Sequence, residues 1–481
     1  MNIQQLAISA VLCLLPSRAL ADSQLTEADI IKLVKESPAV QGMKLGAQQA
    51  QLNSNQYSEK FGSQALTSVQ HTDSNELPNF PGAPVFAPTS TYSVGVHKNF
   101  KGGVSASLTA FADQRSSTDG SIANLTKSSF DASLSIDLWK NFLGRQDDKQ
   151  WQSLELQRKK QEIESEINVS AVSYDVRKTY WALIANRESQ KLAKGLLGNA
   201  KRQLKETERR YKASVANVSD VSRLKAQVAS RSNVLNSLKY QQTALEQHLR
   251  SVLPQLAGKP LNLAPVNLDS VILDVMQCTG NIQASSINPL NNTRYAELID
   301  ILDQKYEQDR ALTSKYSDVD LKLLSTYKIS GRSDNYSDSM QNINDETMTG
   351  FSMGLQLTVP LGGTKSASKK SLERLQRSSY DFEKRDLLAR LKAQRVAISP
   401  QIELLYATVE GQKQNTKLLE KSARNIEKQY KQARISIIEL IREQDALQDS
   451  QLKEIDAYLL VVNSLFDYLK LFQKTPCNLN V

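Results

Sequence analysis

Apolar and polar positions repeat with two different periods along this chain, and the two periods occupy separate stretches. Phe130, Ala132, Leu134, Ile136 and Leu138 alternate with Asp131, Ser133, Ser135 and Asp137. Phe351, Met353, Leu355, Leu357 and Val359 alternate in the same way with Ser352, Gly354, Gln356 and Thr358. A period of two with one apolar face predicts β-strands, either of a soluble sheet with one wet side or of a barrel with lipid outside and water inside. Runs 92–100 and 104–112 flank Lys101-Gly102-Gly103 and predict a hairpin. Segments 64–72 and 321–330 carry fainter versions of the pattern. The stretches 73–90, with Pro78, Pro81, Pro84 and Pro88, and 331–349, rich in Ser, Asp and Asn, read as exposed loops.

The second period is helical. From Gln146 to about Tyr211 the chain is rich in Lys, Arg, Glu, Gln, Leu and Ala without a proline; Lys365 to about Tyr430 is interrupted only by Pro400. Each stretch has about 65 residues and, as a continuous helix, spans roughly 100 Å. No compact core requires helices of that length, so the spacing predicts coiled-coil packing. Val218, Val221, Leu224 and Val228 keep a three-three-four rhythm, and Ile437, Leu440 and Leu447 repeat most of it.

One offset, 219, relates the two halves. It carries Ile136 to Leu355, Gly144 to Gly363, Leu156 to Leu375, Ile163 to Phe382, Tyr211 to Tyr430 and Asp220 to Glu439. Some matches between Lys/Glu/Leu-rich helices arise by chance, but strands, glycine and tyrosine in phase with the helices are harder to dismiss. The order helix, strands, long helix, turn, shorter helix is therefore expected twice. The expected organisation is 22–253 for the first repeat, 254–290 for a linker, 291–473 for the second repeat and 474–481 for a tail.

Residues 1–21 complete the plan. An apolar run from Leu6 to Leu15, Pro16, and then Ala19-Leu20-Ala21 read as a secretory signal with cleavage before Asp22. No later stretch reaches the roughly 18 apolar residues of a membrane helix. An exported chain of this kind is periplasmic, secreted or an outer-membrane barrel.

Charge and chemistry change this picture little. The net charge of +9 comes from 60 basic and 51 acidic residues mixed along the helices, which reads as solvated helix faces and not as a nucleic-acid surface. His71, His97 and His248 are scattered without zinc-ligand spacing, and no P-loop, nucleophile elbow or dinucleotide fingerprint occurs. Neither an enzyme nor a cofactor is expected. A pore needs a lined hole and a gate instead.

Two stretches, Tyr211-Lys-Ala-Ser-Val-Ala-Asn-Val-Ser-Asp-Val221 and Tyr430-Lys-Gln-Ala-Arg-Ile-Ser-Ile-Ile-Glu-Leu440, resemble the signature of the TolC-like outer-membrane efflux proteins. That signature is an aromatic, two residues, a glycine, then a spacer leading to an acidic and an apolar residue. Val359-Pro360-Leu361-Gly362-Gly363 resembles the strand-to-helix exit of the same family. The resemblance implies a homotrimer whose outer-membrane β-barrel continues into a long α-helical periplasmic tunnel, and so an α+β membrane protein. It implies a passive exit duct of a tripartite efflux or type I secretion system, with a periplasmic adaptor (membrane fusion) protein, an inner-membrane pump and outer-membrane lipid as partners.

By the same resemblance the tyrosine motifs form the periplasmic tip. Tyr211, Ser219, Asp220, Tyr430, Glu439 and Arg442 are then the pore and gate residues, with Ser219 and Asp220 linking to a neighbouring tip through Tyr430. The family's tip glycines are Ser214 and Ala433 here, so a turn needing positive φ is expected to be strained or reshaped. Where the family often places a second acid, this chain has Arg442. Cys278 and Cys477 fall in two regions that meet in the family around mid-tunnel, which implies a disulfide between them. The alternative function is a periplasmic coiled-coil adaptor or structural protein with a small β domain.

Overall fold

In the computed structural model, residues 24–73, 86–117, 125–284, 293–313, 319–345, 348–359, 363–432 and 434–471 are described. Nine helices and six strands run among them. In chain order these are α1 (Glu27–Lys35), α2 (Pro38–Glu59), β1 (Ser63–Thr72), β2 (Phe86–Phe100), β3 (Val104–Ser117), β4 (Leu125–Asp137), α3 (Arg145–Lys212) and α4 (Val218–Val252). They continue with α5 (Leu268–Ala284), α6 (Arg294–Leu312), β5 (Asp320–Ser333), α7 (Tyr336–Asp345), β6 (Met348–Thr358), α8 (Gly363–Lys431) and α9 (Ile437–Leu471). The expected long helices are α3, of 68 residues, and α8, of 69. Each is followed by a helix of 35 residues, α4 or α9. Pro400 lies within α8 without ending it.

The chain divides into two compact units, each drawing on both halves of the sequence: residues 1–44, 166–294 and 390–481 form one, and 45–165 with 295–389 the other. The first unit is helical around one apolar cluster. Ile30, Val34, Val40, Tyr180, Trp181, Leu183, Ile184, Leu249, Ile272, Val461, Leu465 and Phe466 are all buried in it. A capping box between Thr26 and Asp29 starts α1. Between them, buried Glu27 accepts a charge-assisted hydrogen bond from Arg177, whose guanidinium lies 4.4 Å from the Phe466 ring centroid. Burial pushes the Tyr180 phenol up to about 12, and its hydroxyl donates to the Leu25 carbonyl.

The second unit is built on a six-stranded antiparallel sheet in sequence order, β1 to β6, with β1 and β6 at its edges. All six expected strands are present. The Lys101–Gly103 hairpin joins β2 to β3 as the alternation predicts, and Gly103 takes φ +73° where a Cβ would lie 2.1 Å from the Asn141 carbonyl oxygen. Beneath that turn Asp147 ties the start of α3 to α2. Its carboxylate accepts from Lys60 at 2.8 Å, Tyr57 at 3.0 Å and Asn141 at 2.6 Å. Burial alone raises its pKa, but these donors and the Lys60 charge win and hold it below the usual carboxylate value.

Two expectations about loops need correction. Strand β2 begins at Phe86, inside the proline-rich stretch 73–90, and accommodates that start with a register shift between Phe86 and Thr89. The stretch 331–349 contains α7, which buries Ser339 and Ile343 against β4 and β5. Its polar composition hides the helix because the contact is made by backbone and small side chains. Gly331 admits it, since a Cβ there would lie 2.3 Å from the Ser339 carbonyl oxygen, and the Ser128 and Ser339 hydroxyls meet at 2.6 Å. Asn335 caps α7 by accepting from the Asp338 amide at 2.9 Å.

Candidate pore elements

The register of the sheet separates its two faces. One row across all six strands reads Ala65, Val96, Leu108, Ala132, Tyr327 and Phe351; the next reads Gln64, His97, Ser107, Ser133, Thr326 and Ser352. Because successive residues point to opposite faces, the first row belongs to an apolar face and the second to a polar one. The apolar face is uncovered over most of its extent: Val94, Val96, Leu108, Tyr327, Phe351, Met353 and Leu355 are each between 49% and 69% exposed. A contiguous apolar surface of this size marks contact with lipid or another protein. Both edge strands, β1 and β6, are exposed along their whole length.

At the other candidate element, each long helix turns into its shorter partner. After α3 the turn closes with the Val215 amide donating to the Arg210 carbonyl at 2.8 Å and the Ser214 amide donating to Tyr211 at 2.9 Å. That is the bond pattern of a left-handed helix cap, and Ser214 takes φ +57° to make it. The expected strain is therefore real in the first turn. The second turn makes the corresponding bond from the Arg434 amide to the Gln429 carbonyl at 3.0 Å, while Ala433 lies outside the described residues.

The candidate gate residues are exposed or half-buried around these turns. Tyr211, Ser219, Glu439 and Arg442 are exposed, and Asp220 and Tyr430 half-buried. Within this chain the Asp220 carboxylate accepts from the Asn217 amide at 3.3 Å, at the start of α4. Tyr430 packs against the cluster of Leu224, Ile437 and Leu440, with the Arg210 guanidinium 5.8 Å from its ring centroid. Glu439 and Arg442, three apart on α9, form no ion pair with each other in the protomer; the Glu439 amide donates to the Ser436 hydroxyl at 3.4 Å.

Sequence reading missed a polar layer between α4 and α9. Arg231 is only 3% exposed and donates to Gln448 and, at 2.9 Å, to Asp445 of α9. Continuing the rhythm of Val221, Leu224 and Val228 by three puts position 231 on the buried face, so the signal was present. The charge of an arginine by itself points to solvent. The side chain of Cys278 and all of Cys477 lie outside the described residues, as do residues 1–21. Among the described residues no group of three His, Cys, Asp or Glu is placed to hold a metal, and no helix is long and apolar enough to cross a membrane.

No protein-family model and no curated protein matches the sequence. Solved structures do. The Campylobacter jejuni CmeC outer membrane channel shares 11% identity at a TM-score of 0.64, over 93% of this chain and 88% of that one. The outer membrane protein VceC of Vibrio cholerae shares 12% at 0.63, over 92% and 95%. The open state of the Neisseria gonorrhoeae MtrE outer membrane channel shares 12% at 0.63, over 92% and 88%. Likeness that covers nearly the whole of each chain at such low identity is likeness of architecture, and the fold of this chain is that of the TolC-like outer-membrane channels.

Proposed function

We propose that the protein is an outer-membrane exit duct, a homotrimer that passively conducts substrates received from an inner-membrane pump through a periplasmic adaptor. The observation that carries this reading is the sheet, with one exposed apolar face, one polar face and two unpaired edges. Open edges invite pairing, and β1 of one copy pairing with β6 of the next closes a barrel of roughly 18 strands, apolar face to lipid and polar face to water. The two helix pairs of nearly equal length, read with the offset of 219, support an origin by duplication. The system served is a tripartite efflux or type I secretion assembly.

In this reading the tips gate the duct. Asp220 uses one carboxylate oxygen to cap its own helix, and its other oxygen is the acceptor for Tyr430 of a neighbouring tip. Glu439 and Arg442 ring the pore. The experiment is to extract the protein from outer membranes and test it for heat-modifiable trimers and for conductance in planar bilayers. Asp220→Ala and Tyr430→Phe are expected to raise the resting conductance. A monodisperse monomer in mild detergent would overturn the duct; unchanged conductance in both variants would overturn the latch alone.

A further inference from the structure

The polar face of the sheet is not uniformly polar, and its charges gather at the end away from the long helices. Over its middle it carries Ser105, Ser107, Thr109, Ser133, Ser135, Thr326, Ser352 and Gly354, without a charge. At the helix end Lys322 is paired with Asp320 at 3.0 Å. At the loop end four cations, Arg115, Lys127, Lys328 and Arg332, share the face with two acids, Asp113 and Asp131.

Both acids already have a partner, although the second carboxylate oxygen of Asp131 accepts no hydrogen bond among the described residues. Asp113 accepts from Arg115 at 3.1 Å and from the Thr91 hydroxyl at 2.9 Å. Asp131 pairs with Lys328 at 3.2 Å, and the Lys328 ammonium also lies 5.6 Å from the Phe111 ring centroid. Lys127 lies between Asp113 of β3 and Arg332 of β5 in the register, and neither Lys127 nor Arg332 forms an ion pair among the described residues, so the two cations face each other across β4 and β5. Like charges facing each other on adjacent strands oppose folding. Sequences keep such local conflicts where function uses them.

We propose that Lys127 and Arg332, with the paired Arg115 and Lys328 on the same face, form an anion-attracting station at the outer mouth of the duct, so that its cargo is anionic: solutes bearing carboxylate or phosphate groups. This rests on the barrel reading above, in which the polar face lines the lumen. Three copies place roughly twelve cations against six acids around one mouth, and a water-filled passage between low-dielectric walls concentrates that field. Discrimination between carboxylate and phosphate lies in the cargo, since both are met here by lysine and arginine.

The test uses the purified full-length trimer in planar bilayers. Under a potassium chloride gradient the wild-type channel is expected to favour chloride. Lys127→Gln with Arg332→Gln should lower the chloride-to-potassium ratio several-fold, and Lys127→Glu with Arg332→Glu should invert it. Citrate or inorganic pyrophosphate added on the loop side at low salt should reduce current in the wild type but not in the Gln double variant. Either probe acting alone identifies the preferred group. At 1 M salt, where screening acts within about 3 Å, the block should disappear.

Unchanged selectivity and unchanged block in the Gln double variant would overturn the proposal. So would loss of heat-modifiable trimers in that variant, because the pair would then be structural; relief of repulsion predicts equal or greater heat stability. Absence of channels from the wild type would instead overturn the duct itself.

Discussion

Two positions on α3 and their counterparts on α8 behave oppositely. Leu156 and Ile163 are 9% and 5% exposed, whereas Leu375 and Phe382, each 219 residues later, are 68% and 71% exposed. The four residues are all large and apolar, and the helices that carry them differ by one residue in length. What differs is the company. Lys160, in the same turn as Ile163, is bonded to Glu383 at 2.5 Å, and Ser153 is bonded to Asp309 of α6 at 2.5 Å. The α3 stripe thus lies among partners of its own chain. The α8 stripe, with Val396 a further two heptads on at 73% exposed, stays bare even though Glu383 beside Phe382 is the residue bonded to Lys160. A seven-residue apolar spacing left bare on a long helix is a coiled-coil seam without its second strand. It supports the proposal that a neighbouring copy supplies the cover.

The largest effect expected from this comparison is on assembly. Leu375→Asp with Phe382→Asp should abolish the proposed trimer in light scattering while leaving the helical circular dichroism of the chain nearly intact. Leu156→Asp with Ile163→Asp should instead destroy the folded chain. A stable trimer from the α8 double variant would remove the reason given for its exposed stripe.

Next come the shorter helices, where a buried arginine of α4 stands at the counterpart of a buried serine of α9. Arg231 relies on Asp445, which is itself 56% exposed, whereas Ser450 shares its hydroxyl with Asn415 and Thr416 of α8. Removing a partner from a buried charge costs more than removing the charge. Asp445→Ala should therefore destabilise by about 2 kcal/mol, discounted for the exposure of Asp445, and Arg231→Met should stay within about 1 kcal/mol of wild type in urea melts. Equal losses would show that the layer acts through packing alone.

A similar but acid-sensitive difference marks the helix starts. Asp147 fastens α3 to Tyr57 and Lys60, and at the same offset α8 carries Ser366. A carboxylate whose folded pKa is depressed contributes stability above its unfolded pKa of about 3.9 and loses it as pH falls through the folded value. Amide protection at the start of α3, corrected for the intrinsic exchange rate at each pH, should thus fall on acidification from pH 5 toward 3, and Asp147→Ala should cost about 2 kcal/mol at neutral pH. Burial and its bond to Asp147 hold the Tyr57 phenol well above its usual range, so no loosening is expected at mildly alkaline pH. In Asp147→Asn the acid-dependent part should vanish; its persistence would move the acid sensitivity elsewhere.

The smallest effect concerns the turns. Ser214 holds a conformation that costs a residue with a Cβ roughly 1 kcal/mol, so Ser214→Gly should stabilise the tip by about that amount. Ala433→Gly tests whether the second turn carries the same strain. A thermal shift from one and none from the other would separate the two turns.

Strand and helix identity were legible along most of the chain because period two and period 3.6 are local properties of order. The hairpin at Lys101–Gly103, both long helices and all six strands were readable from that order. Less legible were α7, which buries one isoleucine and otherwise relies on a glycine and two serines, and Arg231, whose polarity pointed to solvent although its spacing pointed inward. Of the candidate gate residues, the sequence located Tyr211 and Tyr430 beside their turns. It did not show that Asp220 caps its own helix, because either role uses the same carboxylate.

Periodicity by itself determined the elements, the two-faced strands and the phase that relates one half to the other, since each follows from which residues are neighbours in the chain. Only the tertiary structure decided which of two equivalent apolar stripes is covered, which charges on a strand find partners, and that Lys127 and Arg332 face each other. Those outcomes depend on strand register and on contacts between residues some 200 apart, as between Lys127 and Arg332. No local pattern encodes them.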